Sequence, residues 1–317
     1  MLRYVLRRVA YVVPIALGVS IVCFALVHLV PGEIVDAIVP ADAPPEVVEQ
    51  MTKDYGFDQP LPVQYGLWLW RAVQGDLGES LVSGRPVAAE ISKAFGNTFV
   101  LALAAALLGF SLGLLMGGIA GYLQGSLWDR LVTGLAVTGV SLPHYWLGIV
   151  LVIIFSAQLN WLPAVGAGPA GSDQWQLDWA HLRHMILPAV TLAAIPLGII
   201  ARTVRAVVAE ILNQEYVETL RAKGLGEGRI LVHVIKNAAP TVLAVMGLQF
   251  GYLLGGSILV ETVFSWPGTG FLMNTAILQR DLPLLQGTIL VLALFFVSLN
   301  FAVDILQTLL DPRIRRG

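Results

Sequence analysis

AFGNTFVLALAAALLGFSLGLLMGGIAGYLQGSLW, residues 94–128, runs for 35 positions between Lys93 and Asp129 without a charged side chain. A helix that crosses the roughly 30 Å hydrocarbon core of a bilayer needs about 20 apolar residues. This stretch is long enough to do so. Five further gaps have the same character: 24 positions between Arg8 and Glu33, 42 between Arg130 and Asp173, 18 between Arg183 and Arg202, 24 between Lys236 and Glu261, and 22 between Asp281 and Asp304. The second half of the 42-residue gap holds Pro163, Gly166, Gly168, Pro169 and Gly171. That is turn chemistry, so this gap supplies one span. The pattern predicts an all-α membrane protein with six transmembrane helices, over 9–30, 99–122, 132–157, 185–205, 239–261 and 284–306.

The composition points the same way. Of 317 residues, 56% are hydrophobic and 13% charged, with mean hydropathy +0.76; soluble domains carry about 25% charged residues. An ordinary soluble enzyme and a disordered chain are both excluded. The net charge of −2 implies no polyanion partner and no nucleic acid, while the spans make membrane lipid a partner. Cys23 is the sole cysteine, so no internal disulfide can close, and no Cys/His spacing resembles a zinc site. Arg3, Arg7 and Arg8 precede the first apolar run, but that run exceeds a roughly 7–15-residue signal core and reads as a retained helix.

Lys and Arg set the orientation. The N-terminus, the 2–3 connection, the 4–5 connection together with Arg202 and Arg205 at the end of the fourth span, and the C-terminus carry 3, 1, 6 and 3 of them. The other side carries Lys53, Arg71, Arg85, Lys93, Arg183 and Arg280. Both termini are therefore expected in the cytoplasm.

The expected organisation is a tail and first helix over 1–30, an extracytoplasmic loop over 31–97, a transmembrane domain over 95–305 and a cytoplasmic tail over 306–317. The 31–97 loop is acidic, with a helix expected from Pro44 to Tyr55; near 62–74, Trp68 and Trp70 fit either an interfacial helix or a plain loop whose aromatics pack in the core. Residues 206–237 read as a charged cytoplasmic helix stopped by Gly224 and Gly226, with Glu218 and Arg221 on one face. Such a helix suits docking to a cytoplasmic partner, or a positive-inside anchor with no partner. Phe264 and Trp266 fit an interfacial belt. Gly109, Gly113, Gly117, Gly121 and Gly125 recur every four residues, as do Gly247, Gly251 and Gly255. That spacing lets neighbouring backbones approach closely. Pro188 and Pro196 predict a kink in the fourth span. Glu261 and Asp304 lie near span ends, where they are expected to reach water.

Some chemistry is missing. Gly109-Phe-Ser-Leu-Gly113 matches a nucleophile elbow by chance, since it lies mid-helix. His181 and His184 are three apart and could share a metal, although wet loop histidines are commoner. There is no Gly-x4-Gly-Lys-Ser/Thr, so the chain binds no ATP by a P-loop. An intramembrane enzyme would need a polar catalytic group at depth, where only singletons such as Ser111, Ser141, Ser156 and His144 occur.

Glu215-Tyr-Val-Glu218-Thr-Leu-Arg221-Ala-Lys223-Gly224-Leu resembles the cytoplasmic EAA loop of type I ABC importer permeases. The Arg-Ala-Lys-Gly-Leu wording resembles the dipeptide/oligopeptide/glutathione/nickel branch. So do Leu29-Val-Pro-Gly32, Gln74-Gly-Asp-Leu-Gly78, Gly84-Arg-Pro-Val87, Gly247-Leu-Gln249-Phe-Gly251, Glu261-Thr-Val-Phe-Ser-Trp-Pro-Gly268 and Asp311-Pro-Arg-Ile-Arg315. The chain departs from the motif in Thr219 and Leu220, which replace its alanines, and in Lys236-Asn237, which replaces its Leu-Pro.

The resemblance implies a MetI-like type I importer fold in a bacterial inner membrane. It implies a paralogous permease subunit, two cytoplasmic ABC ATPases and an extracytoplasmic solute-binding protein as partners. This chain would be non-catalytic and hold no cofactor, with ATP and Mg on the ATPases. Glu215, Tyr216, Glu218, Arg221, Ala222, Lys223 and Gly224 would form the ATPase contact. Ser141, Gln249 and Ser257 are candidates to line the path. The expected cargo is short peptides, with glutathione, nickel chelates, opines or oligosaccharides as alternatives.

A cysteine placed at Asp54 or Asp76 should react with an impermeant thiol reagent from outside. One placed at Glu227 should react only after permeabilisation; the opposite labelling pattern overturns the orientation.

Overall fold

The computed structural model describes residues 13–25, 44, 46, 53, 58–255 and 257–310. Among them the secondary structure is helical, apart from one isolated antiparallel bridge between Glu79 and Pro86. The helices are α1 (Val13–Ala25), α2 (Leu61–Val73), α3 (Val87–Tyr122), α4 (Leu127–Ser141), α5 (His144–Leu151), α6 (Trp179–Leu212), α7 (Glu215–Ala222), α8 (Glu227–Gly255), α9 (Ile258–Val263), α10 (Thr269–Gln279) and α11 (Leu282–Leu310). α3, α6, α8 and α11 are each long and apolar enough to cross a membrane. α4 and α5, with the π-helical turn Val152–Gln158, reach that length and apolarity when the bent pair is taken together as one span. Both ends of the expected 9–30 span, 9–12 and 26–30, lie outside the described residues, as does nearly all of the helix expected from Pro44 to Tyr55.

The third span is not the single helix expected over 132–157. It bends by 99° between Ser141 and His144. Leu142 and Pro143 both leave the helical region, at ψ 131 and 121. The physical reason is local: a residue before proline is pushed towards extended backbone, and proline starts the next helix without needing an amide donor. By contrast, α6 runs unbroken through Pro188 and Pro196, and α8 through Pro240.

The chain divides into two compact units, residues 97–267 with 299–317 and residues 2–96 with 268–298. In the first, the glycine stripe of α3 is packed against α6. A Cβ on Gly109 would stand 3.0 Å from the Ala193 carbonyl oxygen, and one on Gly113 3.0 Å from Ile200 Cβ. On Gly117 it would stand 2.5 Å from the Ala201 oxygen, and on Gly121 2.8 Å from the Arg205 oxygen. α4 also packs closely on α6: a Cβ on Gly198 would stand 2.5 Å from the Ala136 oxygen. Small residues allow these approaches, and dispersion then holds helices that lipid tails do not push together.

The α4–α6 contact is tied at one end by charge. Arg205 donates Nε–H and Nη2–H to the two carboxylate oxygens of Asp129, at 2.8 and 2.9 Å. The Gly125 amide donates to Asp129 Oδ2 at 2.9 Å, and Ser126 caps α4 by accepting from the Asp129 amide. The glycine repeat of α8 is less uniform. Gly247 closes against Val303 of α11, whereas Gly255 faces open space.

In the second unit, α2 lies beside α1. The hydroxyls of Ser20 and Tyr65 are 2.8 Å apart, and the Phe24 and Tyr65 rings meet edge to face at 5.5 Å. Trp70 stays 66% exposed. Val87, Ile91, Ala276 and Leu284 form the core. Beside it, Asp281 is fully buried and accepts from the Ser80 hydroxyl at 2.5 Å and from the Leu284 amide at 3.2 Å. It thereby caps α11 and ties it to the turn before α3.

A methyl on Gly117 must displace the α6 backbone, whereas one on the adjacent Gly118 meets nothing within 4 Å. Gly117→Ala should destabilise by about 1–3 kcal/mol, read as a lower melting temperature of the solubilised protein. Gly118→Ala should leave it unchanged. Equal tolerance of both would remove the close packing of α3 on α6.

Candidate functional site

Between α6 and α8 the chain makes a short detour. α6 ends at Leu212, where the Asn213 side-chain amide donates to the Ala209 carbonyl at 2.9 Å and to Gln124 Oε1 at 3.2 Å. The helix expected to run on from Ala206 is therefore broken at Asn213–Gln214, and α7 starts afresh at Glu215. Glu215 and Glu218 stand in its first turn and Arg221 in its last, the order that suits the helix dipole.

Tyr216, Val217 and Leu220 anchor α7. Val217 is fully buried in a cluster with Ile200, Val204, Val208 and Ile211 of α6 and Ile230 and Val234 of α8. Tyr216, Leu220 and Leu225 pack around that cluster. Glu215, Glu218, Thr219, Ala222, Lys223 and Gly224 are exposed. One face of a two-turn helix thus grips the spans, and the other presents charge.

α7 ends in a Schellman turn. The Leu225 amide donates to the Leu220 carbonyl at 3.2 Å and the Gly224 amide to the Arg221 carbonyl at 2.9 Å. Gly224 sits at φ +79 with nothing near its missing Cβ. Its backbone angle, not crowding, demands glycine.

Arg221 does not pair with Glu218 by a hydrogen bond. Its Nε–H donates to Glu227 Oε1 at 3.0 Å, across the turn, and the Tyr122 hydroxyl donates to Glu227 Oε2 at 3.1 Å. The Asn237 side chain donates to the Tyr216 hydroxyl at 3.3 Å. Helical spacing could not reveal the 221–227 pair. The usable signal was two opposite charges flanking a Gly-x-Gly turn.

The three expected path residues differ. Ser141 is exposed at the end of α4, its hydroxyl donating to the Val137 carbonyl at 2.8 Å. Gln249, half-buried on α8, has a buried Oε1 with no hydrogen-bond partner. Ser257 is 1% exposed and donates to Glu261 at 2.9 Å, so it lines no open surface.

Glu261 is itself fully buried rather than reaching water. The hydroxyls of Thr98 and Ser257 both donate to its Oε1, at 2.8 and 2.9 Å. Phe264 and Trp266 are 1% and 0% exposed, so they are core residues and not an interfacial belt. Trp266 Nε1–H donates to the Asn97 carbonyl at 3.1 Å. The Asn97 side chain donates to the carbonyls of Asp173 and Pro267 and accepts from the Trp175 amide. Asn97, invisible to sequence reading, thus joins the start of α3's membrane portion to two connecting segments.

The two histidines face separate partners. His181 Nδ1 faces Asp178 at 2.7 Å and His184 Nδ1 faces the Val165 carbonyl at 2.9 Å. The His181 backbone amide, then its ring, hold the Asp178 carboxyl below the usual range. Among the described residues no three His, Cys, Asp or Glu are grouped to hold a metal ion.

Comparison with known proteins bears on this arrangement. Residues 109–316 match the family described as binding-protein-dependent transport system inner membrane component, and residues 1–102 match its N-terminal companion. A protein named as a peptide transport system permease in Brucella abortus (strain 2308) is 42% identical over 316 residues, covering 99% of both chains. The dipeptide transport system permease DppB of Alkalihalophilus pseudofirmus is 38% identical, covering 99% of this chain and all of that one. The glutathione transport system permease GsiC of Escherichia coli K12 is 40% identical, covering 99% of each.

An inward-facing structure of the MetNI methionine ABC transporter shares the fold, with TM-score 0.55 and 16% identity over 70% of this chain and 96% of that one. The architecture is therefore the MetI-like type I importer permease fold, and the protein is a multi-pass inner-membrane protein. Matched over both parts of its length, the chain belongs to the binding-protein-dependent transport system inner membrane components, the permeases of ABC importers.

Proposed function

We propose that this chain works with a paralogous permease subunit, two cytoplasmic ABC ATPases and an extracytoplasmic solute-binding protein to import short peptides. The observation that carries the reading is α7. It is seated by Val217 in the cluster shared by α6 and α8, while Glu215, Glu218 and Lys223 face outward. A push on that exposed face reaches both spans through packed side chains, and the Arg221–Glu227 pair adds a second tie to α8.

ATP and Mg belong to the ATPases; this chain supplies the lever and one wall of the path. Packed helices that change between two arrangements would alternate access to that path. Both termini and α7 lie on the cytoplasmic side, by the excess of Lys and Arg there. Peptide cargo is supported by the names of the Brucella and Alkalihalophilus relatives. Glutathione, the cargo named for the Escherichia coli relative, is itself a tripeptide and is the second reading.

Gly224→Val forces a branched residue into the left-handed region, and Glu218→Lys inverts the exposed charge of α7. Each should cut uptake by about tenfold or more while the ATPases go on hydrolysing ATP and the protein stays in the membrane. Normal uptake by both variants would remove α7 from coupling.

A further inference from the structure

Beside the glycine stripe that meets α6, α3 has a second face with a different character. Leu115 and Ile119 stand there 61% and 42% exposed. With α8 from Leu231 to Met246 as the other wall, and Val204 and Val208 of α6 as the floor, this face encloses a groove of about 690 Å³. Apart from Tyr122, the lining side chains are aliphatic, glycine or methionine. So large an apolar space gives ordered water no partners, and within a membrane it fills with hydrocarbon.

Size and shape choose the occupant. Leu231 to Met246 runs for about 22 Å at helical rise, long enough to follow a lipid tail through one leaflet of roughly 15 Å. At about 30 Å³ per carbon, close to a water's share of liquid volume, a sixteen-carbon chain needs roughly 480 Å³ and fits inside. A helix of the same length, about 10 Å across, fills roughly 1,700 Å³, so most of it would lie outside. Close helix contacts also run through small residues, as at Gly117 and Gly121 against α6. The groove wall on α3 instead carries leucine and isoleucine.

Polarity changes sharply at the end of the groove nearest α7. Tyr122 closes the α3 wall there, and its hydroxyl donates to Glu227 at 3.1 Å, which in turn pairs with Arg221 at 3.0 Å. Lys236 is exposed, next to Ile235 and three residues before Ala239, two of the lining residues. An apolar trough ending among charges, with a lysine beside it, suits an amphiphile that carries a phosphate.

We propose that the groove holds one acyl chain of a phospholipid from the cytoplasmic leaflet. Val204 and Val208 also belong to the cluster that seats Val217, so the chain lies against the anchor of α7. Filling a void and matching its shape hold the tail in place, because it gains no hydrophobic energy on leaving bulk lipid.

The test uses the complete transporter in phosphatidylcholine nanodiscs containing a little phosphatidylglycerol with a photoactivatable diazirine on its acyl chain. Adducts are mapped by mass spectrometry of peptides. The wild type should be labelled over 114–123 and 231–246 more heavily than elsewhere on its spans. A Cβ on Gly118, which lines the groove, would meet nothing within 4 Å, so Gly118→Trp can fill the groove from inside. It should cut groove adducts roughly tenfold, leaving those elsewhere and the melting temperature unchanged. Ala239→Phe fills the groove from the other wall and decides the matter if Gly118→Trp does not assemble. Wild-type labelling no heavier in the groove than elsewhere, or undiminished in the filled variants, overturns the proposal. So does a disulfide from Ile119→Cys to a paralogous subunit, which would put a helix there. The leaflet rests on the orientation above; reversed cysteine labelling at Asp76 and Glu227 would move the lipid to the other leaflet, and the adducts would still judge the groove.

Discussion

Hydrocarbon offers no hydrogen-bond partner, so every backbone amide and carbonyl in the spans must be satisfied by the chain itself. Helices meet that demand, and they leave side-chain shape as the means of packing. The glycines of α3 bring its backbone against the carbonyls of Ala193, Ala201 and Arg205 on α6. α6 takes α4 just as closely through Gly198. The polar groups that remain within the spans are spent in pairs, as with Asp129 and Arg205, or gathered under hydroxyls, as with Glu261. Each would be costly if left alone in lipid or in a dry core.

The same economy explains α7. A two-turn helix is too short to be stable on its own, so it depends on Val217 entering the cluster between α6 and α8. Having spent its apolar face on that anchor, it is free to expose charge on the other. The Schellman turn at Gly224 then returns the chain to the membrane within a few residues. Stability and the coupling proposed for α7 are therefore met by one arrangement: whatever moves α7 must move the cluster that holds it.

The sequence made the fold class legible because hydropathy follows from the bilayer's thickness, and charged residues are absent wherever hydrocarbon would surround them. It also made the charged segment ending in Gly224 legible, since it is out of place in so apolar a chain, but not the break at Asn213–Gln214 that makes α7 a separate helix. Pairings across turns were not legible. Arg221 stands three residues from Glu218, the spacing that helical geometry favours, yet its hydrogen bond goes to Glu227 beyond the turn. Aromatic residues were misplaced for a related reason: Phe264 and Trp266 have the composition of an interfacial belt, but belt and core draw on the same side chains.

By itself the sequence determined that the chain crosses the membrane repeatedly, that the glycine stripe of the second span from Gly109 to Gly121 would admit a close neighbour, and where a charged helix would interrupt the spans. All of these depend on residue type and local spacing. Tertiary structure alone decided that the glycines of α3 meet α6, that the third span turns through 99° at Leu142–Pro143, that Glu261 is sealed under Thr98 and Ser257, and that Asn97 gathers segments from three parts of the chain. Those outcomes depend on which surfaces meet after folding, and contacts between residues 76 to 170 positions apart leave no mark in local pattern.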